Sequence, residues 1–190
     1  MGCGTIAADL VAAICNQPPV GGTGDTAYIV NYEDISTKTV SAQNVCSAIV
    51  LKNGKIGYKY ETVEDSILGE TTLNKGTYID TFQQDLTLRV HTKSELAKAF
   101  VNDSKGSRLV VIVPNLATGT AGEIKWEVYG LDSGLELNEL TASTDMADQT
   151  VYTLKFGSGE KAKEGTLPKS FFITDLATTE AALESLVGNS

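Results

Sequence analysis

The chain has 190 residues with 24 acidic against 15 Lys and Arg side chains, a formal net charge of -9. That balance excludes a protein that grips nucleic acid through phosphate contacts, which require clustered Lys and Arg. A hydrophobic fraction of 42% with 21% charged residues excludes wholesale disorder and suffices for one domain with a sizeable core.

The first stretch, MGCGTIAADLVAAIC, has no basic leader and carries Asp9 inside its apolar run. Ile14 stands where a lipoprotein cleavage site wants a small residue. It is therefore expected to be an amphipathic segment with Ile6, Leu10, Val11 and Ile14 on one side. NQPPVGGTGD, residues 16–25, suits neither helix nor central strand and reads as an arm. Residues 1–25 thus stand apart from a single β-rich domain over 26–190. No apolar run has the length of a membrane span.

TAYIVNY at 26–32 predicts the first strand. VCSAIVLKNGKIGYKYE at 45–61 predicts a hairpin around Asn53-Gly54, the strongest short hairpin signal, with Tyr58 and Tyr60 sharing a face. A long extended stretch follows at 77–91, with Phe82, Leu86, Leu88 and Val90 in period two. TKSELAKAFVND at 92–103 predicts a helix capped by Ser94 or Thr92, with Leu96, Phe100 and Val101 on its apolar face. SRLVVIVPN at 107–115 is continuously apolar and predicts a strand buried on both faces.

In EIKWEVYGLDSGLEL at 123–137, Ile124, Trp126 and Val128 alternate with Lys125, Glu127 and Tyr129, as in a strand with one wet face. The pattern stops at Gly130 and restarts at Leu135, which predicts a reversal through Gly130 to Gly134 that lets two strands pair. Strands at 149–157 and 167–175 and a helix at 178–188, starting at Thr178 or Thr179, complete the chain. Seven to nine strands joined by hairpins predict a mainly β fold: an antiparallel β-sandwich or barrel with one internal helix and a short C-terminal helix.

Catalytic chemistry finds little support. Ser133 in GLDSG misses the Gly-x-Ser-x-Gly spacing of a nucleophile elbow, and nothing identifies a partner for His91, so Asp132-Ser133-Gly134 reads as turn chemistry. KNGKIG at 52–57 and GSGEKAKEG at 157–165 lack the residues of a phosphate loop. Cys3, Cys15 and Cys46 fit no zinc pattern and are expected to be reduced. Trp126 is more simply core than a stacking platform. TDMADQ does not fit an EF-hand, so Asp145 and Asp148 do not suggest calcium. No catalytic residue, cofactor or metal is expected, and the chain does not read as an enzyme.

One charge pattern stands out. Between Lys125 and Lys155 there is no basic residue, whereas Glu127, Asp132, Glu136, Glu139, Asp145 and Asp148 are acidic. Lys-bearing segments at 93–108 and 155–169 flank this block, an arrangement that suits head-to-tail contacts between identical copies.

IKWEVYGLDSGLEL, then VYTLKF, a loop, LPKSFF and a Thr-rich terminal helix together resemble tail tube proteins, virion structural proteins of tailed bacteriophages and prophages of gut Bacteroidetes. The resemblance covers roughly the C-terminal half, and the start MGCGTIAADL with its Gly-rich arm is similar too. It implies a β-sandwich or barrel subunit, made in the host cytoplasm, that forms stacked hexameric rings in the virion tail. Its partners would be further copies and other tail proteins. DNA would pass through an acidic lumen without being held, and no membrane would be involved. The acidic block then becomes a candidate lumen or inter-ring surface, and the long strand at 77–91 a candidate for pairing between subunits. Two other readings stay open: a different virion component, such as a capsid decoration or tail-completion protein, and a surface carbohydrate-binding β-sandwich.

Overall fold

A computed structural model of the chain describes residues 22–41, 44–63, 65–144, 152–159 and 163–188. The strands are β1 (Thr26–Asn31), β2 (Ile35–Val40), β3 (Val45–Leu51), β4 (Tyr58–Glu61), β5 (Ile67–Asn74), β6 (Thr81–Val90), β7 (Arg108–Pro114), β8 (Trp126–Tyr129), β9 (Leu135–Ala142), β10 (Tyr152–Ser158) and β11 (Lys169–Phe171). Helix α1 (Glu95–Asp103) separates β6 from β7, and α2 (Leu176–Leu186) follows β11. The fold is mainly β and sandwich-like, with one internal and one C-terminal helix, as expected. All strand pairs are antiparallel except β3 with β11.

The centre is β7. On one edge it pairs with β1, which carries β4 on its far side. On the other edge run β8 and then β9, in line with each other: Val111 faces Tyr129, and Leu109 faces Leu135. From β8 the sheet continues through β11 and β3 to β2; from β9 it continues through β10 and β6 to β5. The sheet therefore divides in two at residues 130–134.

The two branches cover opposite faces of the centre. Ala27, Ile29, Leu109, Val111 and Val113 pack with Ile67, Leu86, Leu88, Leu154 and Phe156. Tyr28, Val110 and Ile112, the intervening residues, pack with Cys46, Ile49, Trp126, Val128 and Phe171. Helix α1 closes the first core with Ala97 and Val101, and α2 closes the second with Leu183. This is why the run in β7 is apolar throughout and not alternating: both sides are interior. Ile112→Ala would open a cavity in the second core at a cost of roughly 2–5 kcal/mol.

Several expectations need correction. β3 and β4 do not pair. A turn does form at Asn53-Gly54, with the Lys55 amide donating to the Lys52 carbonyl at 3.0 Å. Yet β3 is already flanked by β2 and β11, and the turn instead hands the chain to the edge of β1. The stretch 130–134 is likewise no reversal, because β8 and β9 travel the same way along β7. The strand expected at 77–91 begins at Thr81, and both its edges are occupied, by β5 and β10. It is thus unavailable for pairing with a neighbour along most of its length. Among the described residues eleven strands exceed the seven to nine expected; β2 and β5 are additions whose exposed, Thr-rich sequences carry little apolar pattern.

Smaller differences concern faces and caps. Tyr129 is buried in the first core, so β8 has no continuous wet face. Ser94 caps α1, accepting from the Ala97 amide at 3.1 Å. Leu96, expected on its apolar face, is 84% exposed. Helix α2 begins at Leu176, ahead of the start expected at Thr178 or Thr179, and Asp175 caps it, its carboxylate accepting from the Thr178 amide.

Candidate functional site

The loop at 130–134 is built by glycine geometry and a buried carboxylate. Gly130 and Gly134 have φ of 72° and 79°, in the left-handed region where a side chain is strained. They let five residues leave the β7 edge and return, closed by the Gly134 amide donating to the Gly130 carbonyl at 2.8 Å. The donors exposed by this excursion are met from β6 and from the connection between β10 and β11. Glu164, fully buried, accepts from the Asp132 amide at 3.0 Å, the Ser133 amide at 2.9 Å and the Ser133 hydroxyl at 2.7 Å. The Gln84 side chain, also buried, accepts from the Gly130 amide at 2.8 Å. Buried polar groups that are all satisfied fix one conformation, whereas a half-satisfied set would cost stability.

Charge completes the loop. Asp132 is paired with Lys169 at 3.0 Å and Lys38 at 3.3 Å. Burial works against its carboxylate, but the two ammonium groups outweigh that and hold its pKa below the ordinary range. The Tyr32 hydroxyl donates to the Asp132 carbonyl at 2.7 Å, and the Arg108 guanidinium lies 4.7 Å from the Tyr32 ring. Ser133 therefore serves the turn and not a nucleophile's role: its hydroxyl is committed to Glu164. His91, which sequence left without a partner, has its Nε2 2.7 Å from the Ser66 hydroxyl.

The acidic block does not form one uniform patch. Glu127 is half-buried and accepts from the Tyr129 hydroxyl at 3.3 Å; burial, with this carboxylate beside it, raises the Tyr129 phenol. Asp132 is neutralised as described. Glu139 pairs with Lys155 at 2.8 Å, and Glu136 is exposed beside it on β9. Asp145 and Asp148 lie outside the described residues. Lys155 and Lys169, from the flanking basic segment, thus meet acidic partners within the chain, so their charge is already engaged before any second copy arrives.

Other candidate residues resolve simply. Trp126 is buried edge-to-face against Tyr28, ring centroids 5.4 Å apart, and offers no surface for stacking a ligand. Cys46 is buried as a free thiol, its pKa pushed up to about 11, chiefly by burial. Cys3 and Cys15 lie outside the described residues. Among the described residues no group of three or more His, Cys, Asp and Glu converges, and no helix is long and apolar enough to cross a membrane.

Two apolar surfaces were not legible in the sequence. The first is the distal half of the β5–β6 hairpin. Leu73, facing Phe82 across the ladder, is 52% exposed; in the loop beyond, Tyr78 is 93% and Ile79 75% exposed. Among the described residues no strand pairs with the other edge of β5, which beyond the Thr23 hydroxyl bond to the Ile67 carbonyl takes no strand partner. The second is a groove of about 780 Å³ between β4 and α1, floored by Ile29, Val90 and Ala97 and rimmed by Tyr58, Leu96 and Phe100. It runs on into a space of about 480 Å³ along α1. Tyr60 stacks on Phe100 at 6.0 Å inside it, which joins strand and helix across the floor. No family model, curated protein or solved structure matches the chain.

Proposed function

We propose that the protein is a self-assembling structural subunit, and that the assembly is the tube of a bacteriophage tail, stacked hexameric rings around a channel for DNA. The observation that supports this reading is the β5–β6 arm. A single copy leaves Leu73, Tyr78 and Ile79 in water at the end of an open-edged hairpin, a combination that favours association and that monomers normally avoid. The overall charge of -9 suits a wall that DNA passes without binding. The sequence resemblance to tail tube proteins supplies the tail itself; the arm supports assembly in general.

Electron microscopy of the purified full chain tests the assembly. Six-fold rings or long tubes are expected, and a species that stays monomeric at high concentration would sink the reading. The lumen is tested by Glu136→Lys with Glu139→Lys. Both side chains are exposed, and losing the Glu139 ion pair with Lys155 costs at most about 1 kcal/mol, so assembly should persist. DNA delivery should fall sharply; unchanged infectivity would remove these residues from the channel.

A further inference from the structure

The arm and the groove sit at opposite ends of one strand. β6 leaves the arm at Thr81 and delivers Val90 and His91 into the groove. Its ten residues, at about 3.3 Å each, put roughly 30 Å between the arm's base and the groove, and the loop carrying Tyr78 and Ile79 lies further out still. The hairpin is paired up to Asn74 and Thr81, so it cannot fold back on itself. An apolar arm and an apolar groove in one chain, mutually out of reach, call for a second copy.

We propose that the arm of one copy seats Tyr78 and Ile79 in the β4–α1 groove of a second copy, giving a head-to-tail contact. This rests on the self-assembly reading above and names the surface that receives the arm. A groove of about 780 Å³ lies within the range that accepts a ligand of several side-chain groups. Its rim presents Tyr58, Phe100 and Leu96, and aromatic side chains such as Tyr78 gain most from burial among aromatic and aliphatic neighbours. A contact of this kind uses two different surfaces, so every copy keeps one free arm or groove until a ring closes or a filament grows. Arm-to-arm pairing would be two-fold and would leave each groove open.

Disulfide trapping separates these arrangements. Tyr78→Cys and Leu96→Cys are made separately, each with Cys3→Ser and Cys15→Ser, leaving the buried Cys46; both new thiols replace exposed side chains, so folding should be preserved. On mild oxidation, a covalent dimer is expected in the mixture of the two proteins and should be lost when either is oxidised alone. The protein carrying both changes should give a covalent ladder and not an internal link. A dimer of the Tyr78→Cys protein alone would overturn the proposal in favour of arm-to-arm pairing. Rings or tubes that form without any mixed dimer would overturn the groove as acceptor while leaving assembly intact. A chain that stays monomeric throughout would overturn both.

Discussion

The loop at 130–134 and the distal β5–β6 hairpin are opposites. In the first, polar groups are carried into the interior and each is met: Asp132 by two lysines, the Asp132 and Ser133 amides by Glu164, the Gly130 amide by Gln84. In the second, apolar groups are carried into solvent: among the described residues Leu73 is half covered, and Tyr78 and Ile79 are largely bare. The loop sits where the sheet divides, so its conformation decides how two layers meet the central strands. The arm touches neither core. Folding and the arm's part in the proposed assembly therefore rest on different residues, and mutation of the arm should separate them.

The largest effect belongs to Glu164. Glu164→Ala orphans two amides and a hydroxyl in the interior and should cost about 3 kcal/mol in urea denaturation, since each unsatisfied donor costs on the order of 1–3 kcal/mol. A loss below about 1 kcal/mol would mean the loop does not depend on this carboxylate. Next comes Gly130→Ala. Its Cβ would stand 2.7 Å from Leu135 Cγ and 2.9 Å from the Leu109 carbonyl oxygen at a left-handed φ, for about 2 kcal/mol. Both variants should lower stability at any protein concentration.

A smaller effect is expected from Asp132. Its folded pKa lies below the unfolded value, so the native state binds that proton more weakly. The contribution is complete above the ordinary carboxylate range and is lost as pH falls through the lowered value. Asp132→Asn should flatten the acid limb of the stability curve by about 1 kcal/mol at most, because the side chain is 37% exposed and partly screened. An unchanged acid limb would place the acid sensitivity elsewhere.

How far these two regions were legible in sequence differs for a physical reason. The centre was plain: a continuous apolar run in β7 means interior on both faces, and Ser94 before an apolar helical pattern marks a cap. The loop was half legible. Gly130 and Gly134 announced an irregular backbone, but whether the chain reverses or merely bulges depends on which edge the next strand finds, a choice made by β7 and β10 far away in sequence. Asn53-Gly54 misled in the same way: turn chemistry is local, pairing is not. Glu164 carried no signal at all, since a carboxylate in a lysine-rich loop reads as solvated until the fold brings it to residues more than 30 positions earlier. The arm was invisible because exposure is a property of the assembled sheet; Tyr78 and Ile79 would look like core residues in any strand.

The smallest effect on the single chain, and the largest on the assembly, should come from the arm. Leu73→Ser, Tyr78→Ser and Ile79→Ser should each change monomer stability by no more than about 0.5 kcal/mol, as exposed substitutions do. Sedimentation velocity of this triple variant beside the parent chain, over a range of concentrations, tests the separation most directly. The proposed arm-driven assembly predicts that the parent forms large, concentration-dependent species and that the variant remains a folded monomer. A variant that assembles as the parent does, or a parent that sediments only as a monomer, would contradict it.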